Sequence, residues 1–296
     1  MAAGKKLAAF DENLPSRDPP SYDRGYWTGL KLVALKYYFR PYLNILAGKT
    51  RVAYVDLFAG PGLDRIGKRS VPMPGSPLVP MMIHEAAEGK NFAQYIFCEK
   101  SREYSDALRA RAEAHRSAGC SLTLLRGDAN ERVGDVLAAV ARHRIGHCLV
   151  FLDPEGLEWK WSSMERLLAG ISCDVIVNFP SAGLTRVSTR TDTTRETISA
   201  FLGEPLDELP EVVDEEWALE RYKTKLADLG RDVSTEIRIT DVGAFHYHLI
   251  PAVRTTRGGS PWFATFVTLR DQVQQLHAEI LGMVAAQIDG ELGTIA

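Results

Sequence analysis

Five short segments carry residue types able to do chemistry, and each closes an apolar run. They are Asp56-Leu-Phe-Ala-Gly-Pro-Gly62, Cys98-Glu99-Lys100, Arg126-Gly-Asp-Ala-Asn130, Phe151-Leu-Asp-Pro-Glu-Gly156 and Asn178-Phe-Pro-Ser181. Gly60 and Gly62 let a backbone approach a ligand closely and leave the following N–H groups free to bind it. Glu99 can accept two hydroxyl protons from a ribose, or serve as a surface carboxylate at a strand end. Asp128 can accept from an adenine amine, cap a helix that begins near Asn130, or do both. Asp153-Pro154 forms a turn whose geometry the proline fixes. Such a turn can hold an acceptor substrate or be purely structural. The spacing also argues against two chemistries. Gly60-x-Gly62 reaches Arg65 where a dinucleotide fingerprint has its third glycine, and no Gly-Lys-Ser/Thr follows as a P-loop needs. Glu99 lies 37 residues after Gly62, against about 20 in a dinucleotide fold. A long loop in the interval still lets it end the next strand.

These residues need elements that bring them to one edge. Arg51 to Phe58 is an apolar run ending in the glycine turn, which predicts a buried parallel strand. Phe92–Glu99, Ser121–Arg126, His147–Asp153 and Asp174–Phe179 read as four more strands. Ser101–His115, Asn130–Arg142 and Trp161–Leu168 read as the helices between them. That alternation predicts an α/β fold with a doubly wound, mostly parallel, Rossmann-like sheet. Ligands bind such sheets at the carboxyl ends of the strands, where all five segments would sit. Before the first strand, a helix is predicted from Trp27 to Leu46, kinked or divided at Pro41. Residues 63–76 read as a long loop, and Ser76-Pro77 as the start of a helix reaching Glu88. Residues 1–25 are polar and Pro-rich and predict an irregular arm. Residues 26–296 are read as a single domain with a helical insertion at about 190–230, a partial lid. Thr235–Thr240, Phe245–Val253 and Phe263–Leu269 are predicted strands, and Val273–Ala286 a closing helix.

Taken together and in order, the segments Val55–Gly62, Phe97–Lys100, Gly127-Asp128, Phe151–Gly156 and Val177–Pro180 resemble the three-Cys-motif partner protein (TcmP) family. That family is itself similar to class I S-adenosylmethionine-dependent methyltransferases. The Lys- and Tyr-containing stretches Leu30–Leu35 and Tyr37–Tyr42, with Gly75-Ser76-Pro77, extend the resemblance. It implies a methyltransferase-like domain with S-adenosyl-L-methionine as cofactor, and a radical-SAM three-Cys-motif protein as a partner. The implied cofactor residues are Asp56, Phe58, Gly60, Gly62, Glu99 and Asp128. Of these, Asp56, Gly60 and Gly62 would hold the methionine part, Glu99 the ribose and Asp128 the adenine. Asp153 and Pro154 stand where amine methyltransferases carry an Asp/Asn-Pro-Pro-aromatic motif, from which Glu155 and Gly156 depart. Asn178 and Phe179 complete the implied catalytic set, with Phe179 offering a stacking face from the next strand.

Arg65, Lys68 and Arg69 after the glycines, and Arg186, Arg190 and Arg195 after the fifth strand, are candidates to hold a phosphate-bearing acceptor; a solvated loop surface is the alternative. His246 and His248 share a strand face but have no further ligands at metal spacing, so no metal site is expected. The chain has 296 residues, 45% hydrophobic, with a formal charge of -3. That balance argues against a general nucleic-acid coat protein and leaves room for a local basic face. No apolar run is long enough for a membrane span, and the N-terminus lacks the pattern of a secretory signal. Cys98, Cys120, Cys148 and Cys173 lie far apart with no Cys-x-x-Cys, which predicts reduced, buried thiols in a cytoplasmic protein. The leading expectation is a methyltransferase acting on a nucleic acid or a phosphorylated small molecule. The alternative is a non-catalytic partner protein that keeps the cofactor fold. A nicotinamide-dependent oxidoreductase is disfavoured by the glycine spacing and by the lack of a Tyr-x-x-x-Lys pair beside a suitable strand.

Overall fold

The strand that leads to the glycines, Val52–Asp56, is buried along its whole length. Its alternate side chains enter two different cores. Ala53 and Val55 pack into one, Val52 and Tyr54 into the other, as the two-residue period of a strand requires. A strand covered on both faces has to be apolar throughout, which is why this run was legible in the sequence.

The computed structural model describes residues 20–67, 70–82, 90–187, 191–240, 246–256 and 263–272. In chain order the elements are β1 (Tyr22–Arg24), α1 (Tyr26–Leu46), β2 (Val52–Asp56), β3 (Leu63–Ile66), β4 (Val71–Pro74) and α2 (Val79–Met82). There follow β5 (Gln94–Glu99), α3 (Arg102–His115), β6 (Ser121–Arg126), α4 (Ala129–Arg142), β7 (His147–Leu152), α5 (Trp161–Gly170) and β8 (Cys173–Phe179). The last are α6 (Ser181–Val187), α7 (Asp192–Leu202), α8 (Glu215–Asp228), β9 (Val233–Ser234), β10 (Ile237–Thr240) and β11 (His246–Val253). The main sheet runs β10-β11-β8-β7-β2-β5-β6, with β9 also on β11. β2 pairs in parallel with β5 and β7, β5 with β6, and β7 with β8. β11 is antiparallel to both β8 and β10. The chain winds outward from β2 in one direction through β5 and β6, then returns to the other side through β7 and β8. This is a mixed α/β fold, a mostly parallel sheet between helical layers, in a doubly wound, Rossmann-like arrangement. Among the described residues no helix is long and apolar enough to cross a membrane.

Local sequence sets several boundaries. The side chains of Ser101, Asp128, Thr191 and Asp214 each accept a backbone N–H at the start of α3, α4, α7 and α8. Gly203, at φ 70°, ends α7 in the left-handed conformation. Pro41 lies inside α1, which continues through it as one helix of 21 residues.

Three expectations are corrected. Residues 63–76 are not simply loop: β3 and β4 form a hairpin there, and β1 adds in parallel to make a second, three-stranded sheet. Pro72 and Pro74 fall on β4, at its edge, where a missing N–H is tolerated. Residues 264–272 are helical, not a strand. Phe263 and Phe266 are both buried in one core. A spacing of three puts them on one face of a helix, whereas a strand would turn them to opposite faces. Finally, α7 and α8 are not a lid. Ile198, Phe201, Leu202, Ala218, Tyr222 and Leu226 belong to the same core as β2, β7 and β8. The predicted helix Val273–Ala286 and most of the N-terminal arm lie outside the described residues.

Candidate functional site

The carboxyl ends of β2, β5, β6 and β7 open onto a cavity of about 550 Å³. Phe58, Gly62, Glu99, Asp128 and Asp153 line it. A second cavity of about 140 Å³ adjoins it, lined by Asp153, Pro154 and Asn178. Arg24, Lys31, Asp153 and Glu155 line both. The site lies where the strand order turns back on itself, the place where open α/β sheets bind ligands.

Glu99 ends β5 and fastens the glycine turn. Its Oε2 accepts the Gly60 N–H at 2.9 Å and its Oε1 the Ser101 N–H at 2.7 Å. Burial pushes its pKa up, and the N–H groups of Ser101 and Gly60 oppose that. The Lys100 N–H opposes it as well, which leaves the carboxylate about one further lone pair for a ligand. Gly60 and Gly62 have φ of 59° and 78°, a conformation that favours glycine. A Cβ at Gly60 would lie 2.6 Å from the Tyr22 ring, and one at Gly62 would lie 2.9 Å from Leu108. These glycines therefore make room for side chains of the protein as well as for the turn. Arg111 of α3, itself buried, donates to the Pro61 carbonyl at 2.6 Å and to Pro20 at 2.9 Å, tying the turn to the chain before β1.

Asp56 does not line the cavity. It is fully buried beneath the turn, accepting the Phe58 N–H at 3.1 Å. Burial raises its pKa to about 7, against the Ser76 hydrogen bond. Asp128 combines two roles. Its Oδ1 takes the N–H and the amide of Asn130, at 2.8 and 2.9 Å, and its Oδ2 lies 3.7 Å from Lys100 Nζ. Burial works to raise its pKa, but the Asn130 and Lys100 contacts prevail and hold it low.

Asp153 is the junction of the two cavities. Lys31 Nζ from α1 donates to its Oδ2 at 2.5 Å, and Asn178 Nδ2 from the end of β8 donates to its Oδ1 at 2.5 Å. Both partners of the Lys31–Asp153 pair are largely buried, with side chains 10% and 14% exposed. Asp64 of β3 also lines the larger cavity. Burial lifts its pKa to about 6, against Lys31 and Arg24.

Phe179 lies elsewhere. It is buried against Phe201 and Tyr222, with ring centroids 5.4 and 5.2 Å away, and lines neither cavity. Among the basic candidates, Arg65 alternates with Asp64 on β3, so Asp64 takes the cavity side while Arg65 bonds Ser21 Oγ at 3.1 Å. Arg195 donates to the carbonyls of Leu206, Leu209, Pro210 and Glu211 and so staples the chain between α7 and α8. Arg186 falls on α6, but its side chain lies outside the described structure, as do Lys68, Arg69 and Arg190. The four cysteines are all buried.

Sequence reasoning missed Tyr22, Arg24, Lys31 and Asp64. Arg24 crosses to Glu155 at 3.0 Å, and its guanidinium stands 4.2 Å over the Tyr22 ring. The signal available for Lys31 was a lysine within the apolar stretch Leu30–Leu35. Nothing local marked Tyr22 or Arg24.

No family model and no curated protein sequence matches the chain. Several solved structures are similar to it. Protein LPL1258 from Legionella pneumophila shares 12% identity at a TM-score of 0.49, over 84% of this chain and 92% of that one. An O-methyltransferase from Bacillus cereus, solved with SAH, shares 11% identity at 0.45, over 86% and 91%. Trm1 from Pyrococcus horikoshii, solved with S-adenosyl-L-methionine, shares 12% identity at 0.43, over 79% and 56%.

Proposed function

We propose that the chain is an S-adenosylmethionine-dependent methyltransferase, with the cofactor in the larger cavity and the acceptor in the smaller. The observation that carries this reading is the convergence of Glu99, Asp128 and Asp153 at successive strand ends, around one cavity that continues into another at Asp153. The residues present suit the cofactor. Glu99 keeps lone-pair capacity for a ribose hydroxyl, and Asp128 Oδ2 is available to an adenine amine. Among the described lining residues of the larger cavity, six are acidic and three basic, an excess that favours a sulfonium cation.

When bound, the cofactor supplies an already activated methyl group. The protein's task is then to align the acceptor and exclude water. Glu99 fixes the glycine turn through Gly60, and Asp56 supports that turn from below. Lys31 and Asn178 hold both oxygens of Asp153, so its carboxylate is oriented before any ligand arrives. Calorimetric titration with S-adenosylhomocysteine should give one site per chain, with much weaker binding of NAD. A folded protein that binds no S-adenosylhomocysteine would overturn the reading. The sequence-based acceptor, a nucleic acid or phosphorylated small molecule, rests on Arg65, Arg69, Arg186 and Arg190. Of these only Arg65 has a described side chain, and it faces Ser21.

A further inference from the structure

The amino ends of the parallel strands form a second edge, opposite the cavities and roughly 20 Å from them along the strands. Residues 47–51, 90–93, 116–120 and 143–146 lead into β2, β5, β6 and β7, which lie side by side. Lys49, Arg51, Lys90, Arg116 and Arg144 are exposed in those loops, with exposed Arg142 at the end of α4. The Arg51 Nε donates to the His143 carbonyl at 3.2 Å and so joins the loops before β2 and β7. The four loops hold no acidic residue. Of the neighbouring acids, Glu113 is paired with Arg116 at 2.9 Å. Asp174 is buried and bonds the Tyr38 hydroxyl. A cationic edge thus stands opposite a cavity with an acidic excess.

A cation at the end of a helix can be there for the helix, because it meets the negative end of the dipole. Lys49, Arg116 and Arg142, at the ends of α1, α3 and α4, need no other cause. Arg144 does. Helix α4 closes in a Schellman motif, with Ile145 N–H donating to the Val140 carbonyl and Arg144 N–H to the Ala141 carbonyl, both at 3.1 Å. Arg144 has φ 51°, the left-handed conformation in which glycine is favoured and a Cβ is strained. Helix α8 closes in the same motif with Gly230, at φ 77°. Arg144 keeps the strained backbone with its side chain in solvent, without a hydrogen-bond or ion-pair partner among the described residues. A strained residue that makes no contact of its own points to a role for its side chain outside the fold.

The chemistry of the edge selects the partner. Four of its six cations are arginines, whose planar guanidinium pairs bidentately with phosphate. A protein interface is anchored by apolar and aromatic side chains. Among the described residues the exposed large apolar side chains are Leu206 and Val212, and neither lies in these loops. Contacts to a nucleic-acid backbone are made by charge and need no such anchor. We infer that this edge binds the phosphate backbone of a nucleic acid, without reading its sequence, on the side of the sheet away from the cavities. The inference stands whether or not the cavities bind S-adenosylmethionine.

The test uses the full chain and fluorescence anisotropy with a labelled DNA duplex and a labelled RNA hairpin, each of about 20 base pairs, between about 50 and 200 mM salt. Binding should weaken as salt rises, with a logarithmic slope of about −0.9 for each duplex phosphate engaged. Arg144→Gly should weaken binding several-fold and flatten that slope by about 1. The same variant should melt higher than wild type, because glycine relieves the backbone at the end of α4. Arg102→Gln removes an equal charge at the carboxyl edge, from a side chain 83% exposed, and should leave binding within about twofold. Failure of wild type to bind either probe at about 50 mM salt would overturn the inference. So would equal losses in Arg144→Gly and Arg102→Gln, or a lower melting temperature in Arg144→Gly. Poly-L-glutamate that competes as well as unlabelled duplex at equal charge would overturn the assignment to phosphate.

Discussion

Asp56 is a carboxyl group whose folded surroundings oppose its charge. With an ordinary pKa of 3.8 raised to about 7 by burial, it stays protonated in the native state while the unfolded chain ionises. Below about pH 4 both states hold the proton and its contribution is fully present. Between roughly pH 4 and 7 only the native state holds it, so that contribution is lost as pH rises. Asp56→Asn removes this dependence. The variant's melting temperature relative to wild type should therefore rise from pH 5 and level off above about pH 7. A difference that stays constant with pH would show that Asp56 ionises in the native state as freely as in the unfolded one. Glu99 is tested by affinity. Glu99→Ala should weaken S-adenosylhomocysteine binding by about 1.5–3 kcal/mol, with circular dichroism unchanged. An unaltered dissociation constant would confine Glu99 to supporting the turn at Gly60 and Ser101.

The contact between α1 and the end of β7 depends on a pair of charges 122 residues apart in sequence. Removing one member of a buried pair leaves the other without compensation, at about 3–5 kcal/mol, whereas replacing both with apolar groups is often neutral. Lys31→Met should be strongly destabilising in denaturant melts. Adding Asp153→Leu should recover much of the loss, less whatever Asn178 forfeits as its acceptor disappears. A double variant no more stable than Lys31→Met would show that the two charges are not coupled. The connection between α7 and α8 follows a related logic with backbone partners. Arg195 caps four carbonyls there, and Glu204, 3% exposed, sits between Arg221 and Lys225. These charges hold a helical layer in place.

For the molecule as a whole, a ligand that binds only the native state raises its stability. At a concentration 100 times its dissociation constant the gain is about 2.7 kcal/mol. At roughly 2–4 °C per kcal/mol for chains of this size class, S-adenosylhomocysteine should raise the melting temperature by about 5–10 °C. NAD at the same concentration should raise it far less, and equal shifts would show that the crevice does not select the cofactor. Such a response belongs to the assembled sheet, because Glu99, Asp128 and Asp153 follow β5, β6 and β7 and meet only when β6, β5, β2 and β7 pair side by side.

Much of this was fixed by local sequence. Strands buried on both faces must be continuously apolar, so β2, β5, β7 and β8 stood out with boundaries close to those observed. Caps act within one helical turn, so Asp128 and Ser101 marked their helices. Glu99, Asp128 and Asp153 were found because parallel winding puts every strand's carboxyl end on one edge. Other features depended on partners remote in sequence. Lys31 looked like a charge in an apolar helix until β7 brought Asp153 to it. Tyr22 and Arg24 lay in a Pro-rich stretch whose pairing with β3 has no local signature. Phe179 and Arg195 were misjudged for the same reason: sequence spacing says where a side chain sits along an element, and only packing decides which face it turns to and what it meets there.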